Sequence, residues 1–306
     1  MSVSTRSADH LSATVVAAAL AALLAGPGCV EIVGSDFGKY VERDDKHFSV
    51  TGKADVALST FDGSIEIRPW DKPEVQVTIE KRGWDKEAVA AIDVQVSQNG
   101  NHVELNVTAP KTGGLGFHFN RSRSAKLIVS VPASSDVAAR SGDGSIDIER
   151  IAGKVELRSG DGNIHGRELG GDVNAHAGDG SIKLDGVNGT LNVDTGDGSI
   201  VIAGKVAGVR ARSGDGSVTI RAEADSASAG DWDITTGDGS VTIEVPEGFS
   251  AELDAHTGDG GIRLHDITLS NVTGEIGKRT VRGRLGSGGR SVRVRTGDGS
   301  ITLRRF

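Results

Sequence analysis

A glycine-flanked aspartate recurs at Asp143, Asp161, Asp179, Asp197 and Asp215, each 18 residues after the one before, and no other feature restricts the fold so tightly. A constant step fixes architecture ahead of local propensity, because residues one period apart must occupy equivalent places. The turn returns at Asp238, Asp259 and Asp298 with steps of 23, 21 and 39, the last read as about two coils whose middle turn has eroded. A further copy, "FDGSI" at Asp62, lies far upstream.

Between turns, apolar and polar residues alternate. Ile146 and Ile148, then Val155 and Leu157, flank "RIAG", so one repeat is two short half-buried strands and two turns. The glycines are expected to supply backbone angles closed to other residues, and each Asp carboxylate to bond its own downstream amides. Such a unit cannot stand alone. Burying four aliphatic side chains yields ~6–12 kcal/mol, whereas fixing each residue of the coil costs on the order of 1–2 kcal/mol. Neighbouring coils must supply the rest. The expected fold is therefore all-β, a right-handed parallel β-solenoid of 18-residue coils with GDG turns over residues 132–306. A β-rich segment, residues 46–131, precedes it, with a hairpin about "QNGN" and one short helix in "DKEAVAAID".

Composition agrees. With 44 Gly and only 4% aromatic residues, the chain suits turn-rich β structure and not a helical bundle or an aromatic-lined pocket. A net charge of −8 disfavours nucleic acid as a partner. The only cysteine is Cys29, which excludes an intrachain disulfide. Leu11 to Ala25 is apolar, follows Arg6 and is too short to span a bilayer comfortably, so residues 1–28 read as a secretory signal. "LAGPGC" resembles a bacterial lipobox, although Gly26 stands where Leu is usual. Cys29 is thus the expected lipidation site, anchoring an exported chain to a membrane of the cell envelope through a tether of residues 29–45.

The upstream copy "DGSIEIRPWDKPEVQVTIEK", followed by a helix-hairpin segment and iterated "[ST]GDG[SN][IV]" coils, resembles the DUF4097 family of adhesin-like bacterial envelope proteins over roughly residues 45–306. That resemblance implies a β-solenoid outside the cytoplasm, with no catalytic residues to carry over.

Three features are candidates for function. The first is the carboxylate column Asp143, Asp161, Asp179, Asp197, Asp215, Asp238, Asp259 and Asp298. Carboxylates ~5 Å apart repel by ~1 kcal/mol even in water. The column reads as a structural turn ladder, with a calcium-binding rod as the alternative. Calcium repeats of toxins use a period of nine and a second Asp, where this chain has Ile146; Asp147 becomes His165 and Lys183 in later coils, leaving too few oxygen ligands, so no metal site is assigned. The second is "AEADSASAGDWD", residues 222–233, which lengthens one coil and carries Trp232. The third is the C-terminal stretch 278–306, where nine Lys/Arg against one Asp give +8 and leave −16 for residues 1–277. Arg282, Arg284, Arg290, Arg293 and Arg295 could form a patch for an anionic glycan, a lipid headgroup or an acidic envelope protein. The alternative is a charged terminal coil that blocks edge-to-edge stacking.

No nucleophile–base set stands out. There is no G-x-S-x-G or H-E-x-x-H, "GEIGKRT" lacks the first glycine of a P-loop because Val272 occupies it, and His118 in "FHF" stands alone. Coils of nearly uniform length leave little room for a walled cleft, so catalytic residues and cofactors are not expected. The reading is a non-enzymatic envelope or cell-surface module, adhesin-like by resemblance, with a β-helix enzyme acting on acidic polysaccharide as the alternative.

Overall fold

The computed structural model describes residues 30–36, 39–109, 123–224, 226, 230–276 and 278–306. The expected signal segment, Cys29 and His118 lie outside the described residues.

Alternation becomes strand almost everywhere. The chain opens with β1 (Val30–Asp36), β2 (Lys39–Ser49), β3 (Asp55–Thr60), β4 (Ile65–Trp70) and β5 (Glu74–Gly83). The helix expected in "DKEAVAAID" is α1 (Lys86–Ala90), started by Asp85, whose Oδ1 accepts the Ala88 amide at 2.7 Å. Then β6 (Asp93–Asn99) and β7 (His102–Thr108) form the expected hairpin, closed by Gly100 at φ +60, and β8 (Ser124–Pro132) follows. The repeats hold β9 (Asp136–Ser141), β10 (Ile146–Glu149), β11 (Val155–Ser159), β12 (Ile164–Arg167), β13 (Val173–Ala177), β14 (Ile182–Thr195), β15 (Ile200–Ser213), β16 (Val218–Ala222), β17 (Trp232–Thr236) and β18 (Val241–Val245). Last come β19 (Ala251–Thr257), β20 (Ile262–His265), β21 (Leu269–Gly274), β22 (Thr280–Leu285), β23 (Ser291–Thr296) and β24 (Ile301–Arg305). All join one sheet around a single apolar core that runs from Phe48 to Leu303.

Two parallel ladders carry this sheet. In one, Leu127, Ile65, Ile146, Ile164, Ile182, Ile200, Val218, Val241, Ile301 and Ile262 are successive register partners. In the other the succession is Val103, Val56, Val137, Val155, Val173, Leu191, Val209, Trp232, Val292 and Leu253. Every one of these side chains is buried. The pairing runs unbroken across Pro132: the upstream copy at Asp62 belongs to a coil, β3 and β4, that lies directly against β9 and β10.

Space and sequence disagree at the C-terminal end. The coil made of β23 and β24 sits between the coil of β17–β18 and that of β19–β20. The 39-residue step is therefore not an eroded coil. Its middle is the antiparallel pair β21–β22, laid against the free edge of β19. Nor is the last coil in sequence the terminal coil in space. Edges are covered by antiparallel strands instead, β6 on β7, β5 on β8, and β22 on β19; among the described residues β20 alone of the last coil has an unpaired edge.

The turns show why glycine is fixed there. None of the GDG glycines from Gly142 onward has a positive φ, so the reason is not an unusual backbone angle. It is distance. A Cβ on Gly198 would lie 2.2 Å from the Gly180 carbonyl oxygen, and on Gly299 2.0 Å from that of Gly239. From Gly160 onward the first glycine of each turn donates its amide to the same glycine one coil away, as in Gly196 to Gly178 and Gly297 to Gly237, both at 2.6 Å. The residue before it adds a second line: Ser159 Oγ to the Gly144 carbonyl at 2.9 Å, Thr195 to Gly180 and Ser213 to Gly198 at 2.8 Å. Ala177 has no hydroxyl to continue that line.

Gly198→Ala is expected to cost about 3 kcal/mol or more, because the coils cannot separate locally without breaking both ladders. Gly208→Ala, whose added Cβ would be 3.4 Å from its nearest neighbour, serves as control and should be neutral or stabilising by up to ~1 kcal/mol. Ala177→Ser, by contrast, should stabilise by about 0.5–1.5 kcal/mol by donating to the Gly162 carbonyl. Denaturant midpoints of the three variants check all of these.

Candidate interaction surface

Because inward positions are filled mostly by aliphatic side chains, the polar chemistry of the described residues lies mainly on the outward columns, the turn edge and the ends of the stack. On the turn edge Asp143, Asp161, Asp179, Asp197, Asp215, Asp238, Asp259 and Asp298 are all exposed. Among the described residues none of these carboxylates accepts an amide of its own turn, which corrects the expected Asx bonding. The serine and threonine hydroxyls do that work: Ser141 Oγ and Thr257 Oγ1 accept the amides of Gly144 and Gly260 at 3.0 Å. Asp259 is bonded by Arg279 Nη2 at 2.8 Å. At the start of the column, burial and then the Asp143 charge raise the pKa of Asp62. No group of three or more His, Cys, Asp or Glu side chains converges on a metal-sized site among the described residues.

The outward column beside the first ladder alternates in charge. Glu149 accepts Arg150 at 2.8 Å and Arg167 at 2.7 Å; burial pushes its carboxyl up, but the two arginines and Arg68 outweigh that and hold it below the usual value. Further along, Arg304 Nε reaches the buried Glu244 at 2.9 Å. Cross-strand pairing of this kind stabilises the stack more than it advertises a charge. A shallow hollow of about 410 Å³ lies on this face among Arg68, Asp147, His165 and Lys183.

The C-terminal arginines are largely engaged. Arg282 Nε and Arg295 Nη2 bond Asp254 at 3.2 and 2.8 Å, and Arg284 Nε bonds Glu252 at 2.7 Å. Arg293 is exposed, in register between Asp233 and Asp254, with no ion pair among the described residues. Arg290 is not on the surface. It is 8% exposed, lies 4.7 Å over the Phe249 ring and 5.9 Å from that of Trp232, and donates Nη2 to the Ser226 carbonyl at 3.1 Å. Among the described residues its Nε and Nη1 have no hydrogen-bond partner, and burial lowers its pKa.

Trp232 is likewise core. Trp232 begins β17, faces inward and is fully buried, with its ring centroid 5.4 Å from that of Phe249. Outside it lies a hollow of about 470 Å³ lined by Gly208, Gly230, Thr190, Arg210 and Asp231. An aromatic side chain that sequence patterning does not single out, Trp84 between β5 and α1, is 62% exposed.

With the ladders and turns in view, the family is decided by the match of residues 42–304 to Toastrack DUF4097. The chain belongs to the Toastrack DUF4097 family. No curated protein matches it. Among solved structures, one titled a "putative adhesin" from Bacteroides fragilis is 14% identical, covers 86% of this chain and 97% of its own, and has a TM-score of 0.44. One titled a "putative cell adhesion protein" from Clostridium sporogenes is 13% identical over 87% of this Toastrack chain and all of its own, with a TM-score of 0.28. A "putative lipid binding protein" from Parabacteroides distasonis is 13% identical over 85% and 96%, with a TM-score of 0.26. None of these likenesses carries a role across to this chain.

Asp254 supplies a test of the surface pairing. Burial raises its carboxyl, but Arg295 and Arg282 win and hold it below its ordinary value of 3.8. A lowered folded pKa means stability that is present above the unfolded value and lost as pH falls through the folded one. Asp254→Asn should therefore cost about 1–3 kcal/mol at neutral pH, and the gap to the parent should shrink to nothing as pH drops well below 3.8. Urea midpoints across pH read it directly.

Proposed function

We propose that this Toastrack protein is an exported, non-enzymatic module of the bacterial cell envelope, held to a membrane by lipid on Cys29 and projecting its stacked coils as a right-handed parallel solenoid with GDG turns. The uniformity of the stack carries this reading. Coil after coil presents short polar columns and two shallow hollows, a surface suited to contact with another macromolecule rather than to enclosing a small substrate. Parallel pairing through crossovers favours the right-handed sense. Among the described residues no helix is long and apolar enough to cross a membrane; the attachment proposed is the lipid on Cys29.

The partner we propose is an anionic envelope component, a glycan, lipid headgroup or acidic protein, met by Arg282, Arg284, Arg293 and Arg295. Three of these already share Asp254 and Glu252, so the contact would be weak and salt-sensitive.

Labelled palmitate should enter the wild-type chain and not Cys29→Ala, and the label should follow the membrane fraction; equal labelling of both removes the anchor. Charge reversal of the four arginines should lower retention on phosphatidylglycerol vesicles by roughly fivefold or more. Unchanged retention would discard the patch while leaving the anchor standing.

A further inference from the structure

The coil of β23 and β24 follows β17–β20 in sequence yet lies between the coils of β17–β18 and β19–β20 in space. Its seat has matching walls. Trp232 and Leu253 both pair with Val292, and Val241 and Ile262 both pair with Ile301, so the two walls share one register. The turn contacts match as well: Gly297 donates to Gly237, and Gly258 to Gly297, each at 2.6 Å. Emptying the seat would break two coil interfaces, and closure of the walls on one another would restore one.

The approach to the coil is a hinge. "GSGG" after β22 has Gly286, Gly288 and Gly289 at φ +57, +80 and +117. The seat also reads the coil's identity. Asp254 takes Arg295, Glu244 takes Arg304, and Asp231 takes the Ser291 amide at 2.9 Å. A second copy of this chain carries that coil with the same residues in the same register.

We propose that β23–β24 is an exchangeable insert, and that the C-terminal coil of one copy occupies the seat of another to join two molecules by strand exchange. Exchange of an identical element is a low-cost route to association, since the swapped state makes the same contacts as the closed one. Only the hinge changes conformation, and its glycines are free to do so.

Full-length chains in a Cys29→Ala background test this. One population carries Thr242→Cys and the other Thr302→Cys, register partners across the seat, ~4.8 Å apart and within disulfide reach. After mixing and oxidation, the proposal expects a disulfide-linked heterodimer about tenfold above the dimer formed by either population alone. A chain bearing both cysteines must close its intrachain bond, which shows that the coil is seated and the thiols can meet. If that bond closes while mixing gives no more dimer than the separate populations, the coil is permanent and the proposal fails. Asp233→Cys with Arg293→Cys repeats the experiment on the other ladder, with the same two outcomes deciding.

Discussion

Carbonyl oxygens sit where a Cβ would have to be at one turn of each coil, and the rest of this structure follows from that contact. Coils can approach to parallel-strand spacing only if the turn carries no side chain on the contacting face. Once they do, glycine amides, serine and threonine hydroxyls and both strand ladders are satisfied by the same translation. The apolar columns then fuse into one interior, which no coil could assemble alone.

That interior is read differently by space and by sequence at both ends. The coil of β3–β4 has neighbours that come later in the chain, and the coil of β23–β24 has neighbours that come earlier. Stacking requires register and a close turn, so the order of coils in space need not follow their order in the chain. Antiparallel strands such as β6 and β22, which lack the turn, are left to cover edges. The surface inherits the same logic. Charges repeat where strands repeat, and they pair with their neighbours up and down the column, which is why the cation-rich C-terminus presents less free charge than its composition suggests.

Much of this was legible beforehand. Period and alternation placed the strands, the inward residues such as Ile146 and Val155, the hairpin at Gly100 and the helix that Asp85 caps. The hydroxyl line is present in the "[ST]GDG" motif, but the role expected of the conspicuous Asp belongs to the Ser or Thr two places before it. In sequence Trp232 beside a polar insertion looks like part of a binding loop, whereas its register, between Val209 and Val292, makes it core. The order of the last coils could not be read at all. Sequence spacing reports how far apart two turns are along the chain, and the choice of neighbour among coils of equal register is made by packing.

The most direct test of the account is a set of distances along the turn edge, measured by pulsed electron paramagnetic resonance with one spin label at Asp143 and a second at Asp215, Asp238, Asp298 or Asp259 in a Cys29→Ala chain. Stacked coils predict separations that grow by ~4.8 Å per level, in the spatial order Asp215, Asp238, Asp298, Asp259, with Asp298 nearer than Asp259 despite being farther along the chain. Separations that follow sequence order instead, or that do not grow in steps, would contradict it.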